Sequence, residues 1–362
     1  MNRLALATVI TACSASASAL AQDNVIIYGT VDLGLWRQSQ SAAAAGEQVR
    51  GKTLLHTGGL APSVFGLRGE ERLGADLKAT FNLEAHLDPG TGSNGLNALF
   101  PRAANVGFAG SWGAVKLGQQ IVPALIAYLA VDPAGVRESL SGIQPWALSS
   151  AQNLGRGTAT PNSTLAFFAS NAVSYQLSRG GLYAGALYAF GEVPGNSLAN
   201  RLTSVGVGYT GPLIVGASFH ASRWASTGAP SDRKASLGFG VPVGAATFKI
   251  NYLSAQAYAS TGAAAGDWRI ISAGADYRLT ERHTLAAAYY RGRNRLAGSD
   301  SDKGDSIVVS NQYGFSKRSI LYQQLVAIKA GHTAGAVVTL LGEPPAPGRT
   351  SYVLNLGIRH NF

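Results

Sequence analysis

The chain has 362 residues and a formal net charge of +10, with 13% charged residues, 46% hydrophobic residues and 45 glycines. An average soluble protein carries about 25% charge and roughly 7% glycine. Beyond the amino-terminal segment no run approaches the ~18 apolar residues of a membrane-spanning helix. A helical membrane protein is therefore excluded, and an ordinary soluble domain fits poorly.

At the amino end, Arg3 precedes the apolar stretch from Leu4 to Ala12, and Ala19-Leu20-Ala21 is a small-x-small cleavage site before Gln22. That is the pattern of a secretory leader. Residues 1–21 are read as signal peptide and 22–362 as a single domain. The stretch Ile10-Thr11-Ala12-Cys13 loosely matches a lipid-attachment box, but a cut there leaves Ser14–Ala21 without a use. Cleavage after Ala21 removes the only cysteine, Cys13, and the only methionine, Met1, so the mature chain has no disulfide and no cysteine ligand for a metal. A basic cytosolic protein would suggest nucleic acid. After export, a basic water-filled passage or contact with anionic lipid headgroups is the better reading.

The apolar residues alternate. From Leu77 to Leu87 every odd position is apolar and every even one (Lys78, Thr80, Asn82, Glu84, His86) is polar or charged. Period-two alternation describes a strand with one greasy and one wet face, and this run has the length of a tilted strand crossing a bilayer. The pattern recurs in 25–36, 213–224, 248–253 and 352–362. Candidate strands are 25–37, 61–71, 75–88, 102–110, 113–120, 164–178, 181–190, 201–210, 212–224, 233–241, 243–257, 267–279, 283–294, 305–315, 319–330 and 350–362. The register of 305–315 and 319–330 is ambiguous. The expectation is an all-β fold: a transmembrane antiparallel barrel of sixteen strands, an even number as bacterial barrels require, wide enough for an aqueous channel.

Short turns such as Ser111-Trp112, Gly211-Pro212 and Pro242-Val243 alternate with longer polar stretches, including Gln38–Gly59, Asp88–Phe100 and Ala330–Arg349. Short turns at one end and long loops at the other is the build of outer-membrane barrels. Ile121–Ser163 contains no convincing strand, and a stretch that long without one is usually functional. Tyr28, Trp36, Trp112, Tyr209, Trp224, Tyr252, Trp268, Tyr277 and Tyr313 lie near strand ends, as aromatic girdles at the two interfaces would.

Several stretches carry a family likeness: Ile27-Tyr28-Gly29-Thr30-Val31-Asp32, the run Phe65–Gly74, the strand pair Val106–Gln120, the turns Tyr277–Leu285 and Tyr313–Leu321, and the terminal Gly357-Ile358-Arg359-His360-Asn361-Phe362. In their order and spacing the chain resembles the trimeric general-diffusion porins of Gram-negative bacteria, particularly the beta-proteobacterial type. The resemblance implies that residues 121–163 fold into the lumen as a constriction loop, and that the protein is a homotrimer. It also implies contact with outer-membrane lipid and lipopolysaccharide, and a terminal aromatic, Phe362, read by the barrel insertion machinery. The chain departs from the family at its wall arginines. Where the pattern has arginine, this sequence has Val64, Asn105, Phe168 and Gln119, which puts the family's pore electrostatics in doubt.

Charges on the wet face are the candidate pore lining: Arg68, Lys78, Glu84, Lys116, Lys234, Lys249, Arg278 and Arg359. Fixed wall charge enriches ions of the opposite sign; otherwise these are simply solvated lumen residues. Asp132 and Glu138 of the constriction loop either face the basic wall or are ordinary loop charges. The histidines show no metal spacing, and Gly206-Val207-Gly208 lies within a strand rather than before a helix. No cofactor, metal or nucleic acid is expected. The expected function is passive diffusion of small hydrophilic solutes with a weak anion preference. The departures at Val64, Asn105 and Phe168 leave a substrate-specific channel open. A barrel hydrolase needs a nucleophile beside an oriented base, and neither a G-x-S-x-G motif nor an inward Ser-His pair is present.

Overall fold

The computed structural model describes residues 24–41, 49–96, 98–135, 140–149, 163–164, 166–296, 303–331 and 345–362. In chain order the elements are β1 (Asn24–Gln38), β2 (Lys52–Thr57), β3 (Val64–Arg72), β4 (Lys78–Asp88), β5 (Ser93–Asn94), β6 (Ala103–Gly110), β7 (Gly113–Ile121), α1 (Pro123–Ala130), α2 (Ile143–Leu148), β8 (Ser163–Thr164), β9 (Phe168–Arg179), β10 (Leu182–Ala189), β11 (Leu202–Thr210), β12 (Ile214–Arg223), β13 (Pro230–Val243), β14 (Ala246–Tyr258), β15 (Ala264–Thr280), β16 (His283–Asn294), β17 (Lys303–Gly314), β18 (Ser319–Lys329) and β19 (Thr350–Asn361). Setting aside the short accessory pieces β2, β5 and β8, sixteen antiparallel strands pair in sequence and β19 pairs back to β1, closing the barrel. Each expected strand has its counterpart.

Closure follows from the alternation. A sheet with one continuous apolar face and no free edge can sit in hydrocarbon with every backbone group paired. On β14, Phe248, Ile250 and Tyr252 point outward and are more than two-fifths exposed in the isolated chain, while Asn251 and Leu253 point inward and are buried. The structure fixes the two strands of ambiguous register: Ile307, Val309, Leu321 and Leu325 face out, while Ser306, Ser310, Tyr322 and Gln324 face in. The ambiguity has a cause, since Val308, Val326 and Ile328 are apolar and also face in.

Those inward apolar residues belong to a cluster between wall and loop. The segment after β7 turns into the lumen, where α1 and α2 pack with Leu140 and Trp146 against Leu253, Ile270, Val308, Ile328 and Val353 of the wall. α1 starts with a proline at its first position, as helix starts favour, and is apolar all round, with Pro123, Ala124, Leu125, Ala127 and Tyr128 buried. Glycines admit it. A side chain at Gly206 would stand 2.2 Å from the carbonyl oxygen of Pro123, one at Gly216 2.4 Å from that of Ala127, and one at Gly238 2.5 Å from Val131. These wall glycines on β11, β12 and β13 form a smooth track on which the helix lies.

Two sequence expectations change. The stretch Gln38–Gly59 is not all loop, because β2 within it pairs with the upper half of β1. Trp36, Trp224 and Trp268 are not girdle residues: they are buried and join the apolar cluster, since the inserted loop gives the lumen an apolar region of its own. Tyr28 also faces inward. Trp112, Tyr209, Tyr252, Tyr277 and Tyr313 are exposed and suit the girdle.

Candidate functional site

The lumen is bounded on one side by α1, seated on β10–β13. Around the wall, pairing brings inward residues of β3, β4, β6 and β7 into rows: Arg68 beside Asn82, Asn82 beside Asn105, and in the next row Glu70, Thr80, Gly107 and Lys116. A cavity of about 610 Å³ is lined here by Arg68, Asn82, Asn105 and Lys116 among others. Arg68 lies over the Tyr28 ring, 5.1 Å from its centre. The Tyr28 hydroxyl lies within hydrogen-bond distance of two acceptors for its one proton, Asn82 Oδ1 at 2.9 Å and Glu84 Oε2 at 2.8 Å.

Both wall glutamates in this region are neutralised. Lys78 Nζ stands 2.8 Å from Glu70 and Arg102 Nε 2.6 Å from Glu84. The Lys78 pair is half exposed, so screening by water leaves it little effect on stability, but its net charge is zero. Sequence reasoning misses Arg102. It sits at the edge of β6, outside the alternation that locates the others, and the only hint is its place after Pro101. Its guanidinium also lies 5.1 Å from the centre of the Phe168 ring. A position where the family pattern has arginine thus holds the aromatic face under a different arginine.

Apart from Arg68, the remaining candidate cations divide into two sets. Lys116, Arg278 and Arg359 face the lumen on β7, β15 and β19, and each lacks an ion pair among the described residues. Lys234 and Lys249 instead hold the loop. Lys234 is buried, donates to the carbonyl oxygen of Ser149 at 3.1 Å and lies 5.8 Å from the centre of the Trp146 ring. Lys249 donates to the backbone carbonyl of Asp132 at 3.4 Å.

Asp132 is fully buried rather than open to the passage. Its carboxylate accepts from the Gly142 amide at 2.9 Å and from the Tyr290 hydroxyl at 2.8 Å, tying the two halves of the loop to β16. The Tyr290 oxygen also receives the Ala134 amide at 3.2 Å. A second fastening joins the Ala124 amide to Ser204 on β11 at 2.9 Å. Glu138 lies outside the described residues. Val64 is buried at the start of β3, and the Asn105 amide donates to the carbonyl of Gln119 at 2.8 Å.

A sequence model of Gram-negative porins matches residues 5–332. The chain belongs to the Gram-negative porin family. It is 34% identical over 243 residues to outer membrane porin protein 32 of Delftia acidovorans, covering 63% of this chain and 64% of that one. It is 30% identical over 145 residues to an outer membrane porin protein of Bordetella pertussis, covering 37% of each. The matches therefore span less than two thirds of these curated relatives. Among solved structures, the anion-selective porin from Comamonas acidovorans superposes with a TM-score of 0.75 at 24% identity, covering 94% of this porin and all of that chain. The trimer form of OmpT from Vibrio cholerae gives 0.66 at 15% identity, covering 94% and 99%. At such identities the likeness is one of fold. The closed barrel with its apolar exterior places this porin in the bacterial outer membrane as a multi-pass protein.

Proposed function

We propose that this porin is a passive diffusion channel for small hydrophilic solutes, weakly selective for anions. One observation carries the sign: the wall glutamates are ion-paired, whereas Lys116, Arg278 and Arg359 face the lumen without an acid partner among the described residues. In a narrow aqueous passage with low-dielectric walls such charge enriches anions and depletes cations. The Comamonas porin, which is anion-selective, supports the reading. With few cations free, the preference is weak and fades as salt shortens the screening length from about 30 Å at 0.01 M to about 3 Å at 1 M.

The trimer form of the Vibrio outer membrane protein supports a homotrimer as the working unit. Outer-membrane lipid and lipopolysaccharide are the partners proposed for the apolar exterior, and the insertion machinery the partner proposed for Phe362. The channel reading predicts ohmic single-channel steps in a planar bilayer and a zero-current potential of anion-preferring sign across a potassium chloride gradient. A clear cation preference overturns the selectivity; small currents that saturate with one solute favour a substrate-specific channel.

A further inference from the structure

The β1 ladder contains an interruption on the side of the lumen opposite α1. Thr30 pairs with Val64 of β3, but Leu33 pairs with Thr57 of β2. The six residues 58–63 between those partners leave the wall and turn inward. Their direction is fixed by what they touch. The Gly59 carbonyl accepts from Gln324 of β18 at 2.7 Å, and a side chain at Gly59 would stand 2.3 Å from the Tyr322 hydroxyl. Both partners are inward residues. Gly58 has φ of 82°, which allows the chain to leave the strand direction.

One inward side chain organises the segment. Asp32 is fully buried. Its carboxylate receives three consecutive amides, Gly59 at 3.2 Å, Leu60 at 2.8 Å and Ala61 at 2.9 Å, together with the Tyr322 hydroxyl at 2.6 Å. Its own amide donates to Ser63 at 3.0 Å. A buried carboxylate is costly unless donors surround it, and charge-assisted bonds are the strong kind. Few arrangements of 58–63 could supply the same set, so the segment is held in one place.

We infer that residues 58–63 form a second constriction element, facing the α1 helix across the lumen, and that Asp32 is its positioning residue. The α1 helix rests on β10–β13, and this segment reaches from Asp32 of β1 to Tyr322 and Gln324 of β18 on the opposite wall. Between them the wall of β3, β4, β6 and β7 stays polar, so solutes pass along Arg68, Asn82, Asn105 and Lys116. The cross-section of the passage is then set by the gap between two inserted segments, not by the α1 loop alone. The inference rests on the channel reading above.

The test uses the full chain in planar bilayers. Asp32→Asn puts an amide group among donors that need an acceptor, which frees the segment. The expected result is higher single-channel conductance and admission of larger neutral polymers, with the heat stability of the barrel retained. If that variant does not assemble, Ala61→Cys in a Cys13→Ser background decides the matter. A bulky aqueous methanethiosulfonate should then lower the current of open channels. Assembled Asp32→Asn channels with the parent's conductance and polymer cutoff overturn the inference, as does an introduced thiol that is unreactive or reacts without changing the current. Failure of the parent to conduct at all would instead defeat the channel reading.

Discussion

On the proposed channel reading, selectivity depends on which lumen charges have partners. Lys78 and Lys116 are alike in sequence, each a wet-face lysine on an alternating strand. In the barrel Lys78 lies 2.8 Å from Glu70, whereas Lys116 meets no acid among the described residues. Lys116→Gln should therefore move the zero-current potential toward cations more than the paired replacement of Lys78→Gln with Glu70→Gln does, and the effect should shrink as salt rises. Reversal potentials at low and high potassium chloride check this, and equal shifts from the two variants would contradict it. Asp132, also charged, should behave differently. It ties Gly142 to Tyr290, so its loss acts on the loop rather than directly on the field.

At the level of elements, the strands are specified by a face and the inserted loop by a fit. Phe81 occupies the outward, odd face of β4. Phe81→Arg should destabilise the barrel by about 2 to 4 kcal/mol if the site lies near the bilayer midplane, read from denaturant unfolding in lipid; an unchanged midpoint would put the register in error. The α1 helix depends on the glycine track. At Gly216 a side chain would stand 2.4 Å from the Ala127 carbonyl, at Gly208 3.3 Å from the nearest atom. Gly216→Val should cost about 1–3 kcal/mol by overpacking and unseat the helix, giving noisier channels. Gly208→Ala should do much less. Heat-dissociation temperatures and current noise compare the two.

For the molecule as a whole, closure is the decisive event, because an open sheet edge has no partner in hydrocarbon. The seam joins β1 to β19 and ends where Gly29 and Phe362 exchange two backbone hydrogen bonds of 3.1 Å. Phe362 is also outward and half exposed. Deleting Phe362 should lower the amount of folded porin in the outer membrane far more than it alters the conductance of barrels that form. Surface levels equal to those of the parent would refute this.

The sequence by itself determined the architecture. Alternation sets which side chain meets lipid, strand length matches the bilayer, and an even count with short and long connections specifies a closed barrel. These are local properties, legible from neighbours two residues apart. It also placed Lys116, Arg278 and Arg359 on the wet face. What only the tertiary structure decided is which lumen residues share a neighbourhood. Glu70 meets Lys78 and Glu84 meets Arg102 across strand pairs, and Trp36, Val326 and Ile328 are covered by a loop far away in the chain. The glycines of β11–β13 look like weak strand residues until α1 lies on them. Asp32 reads as one wet-face acid among several until Gly59, Leu60, Ala61 and Tyr322 close around it. Alternation assigns a side chain to a face; only the closed barrel, which brings distant strands and inserted loops into one lumen, assigns it a partner.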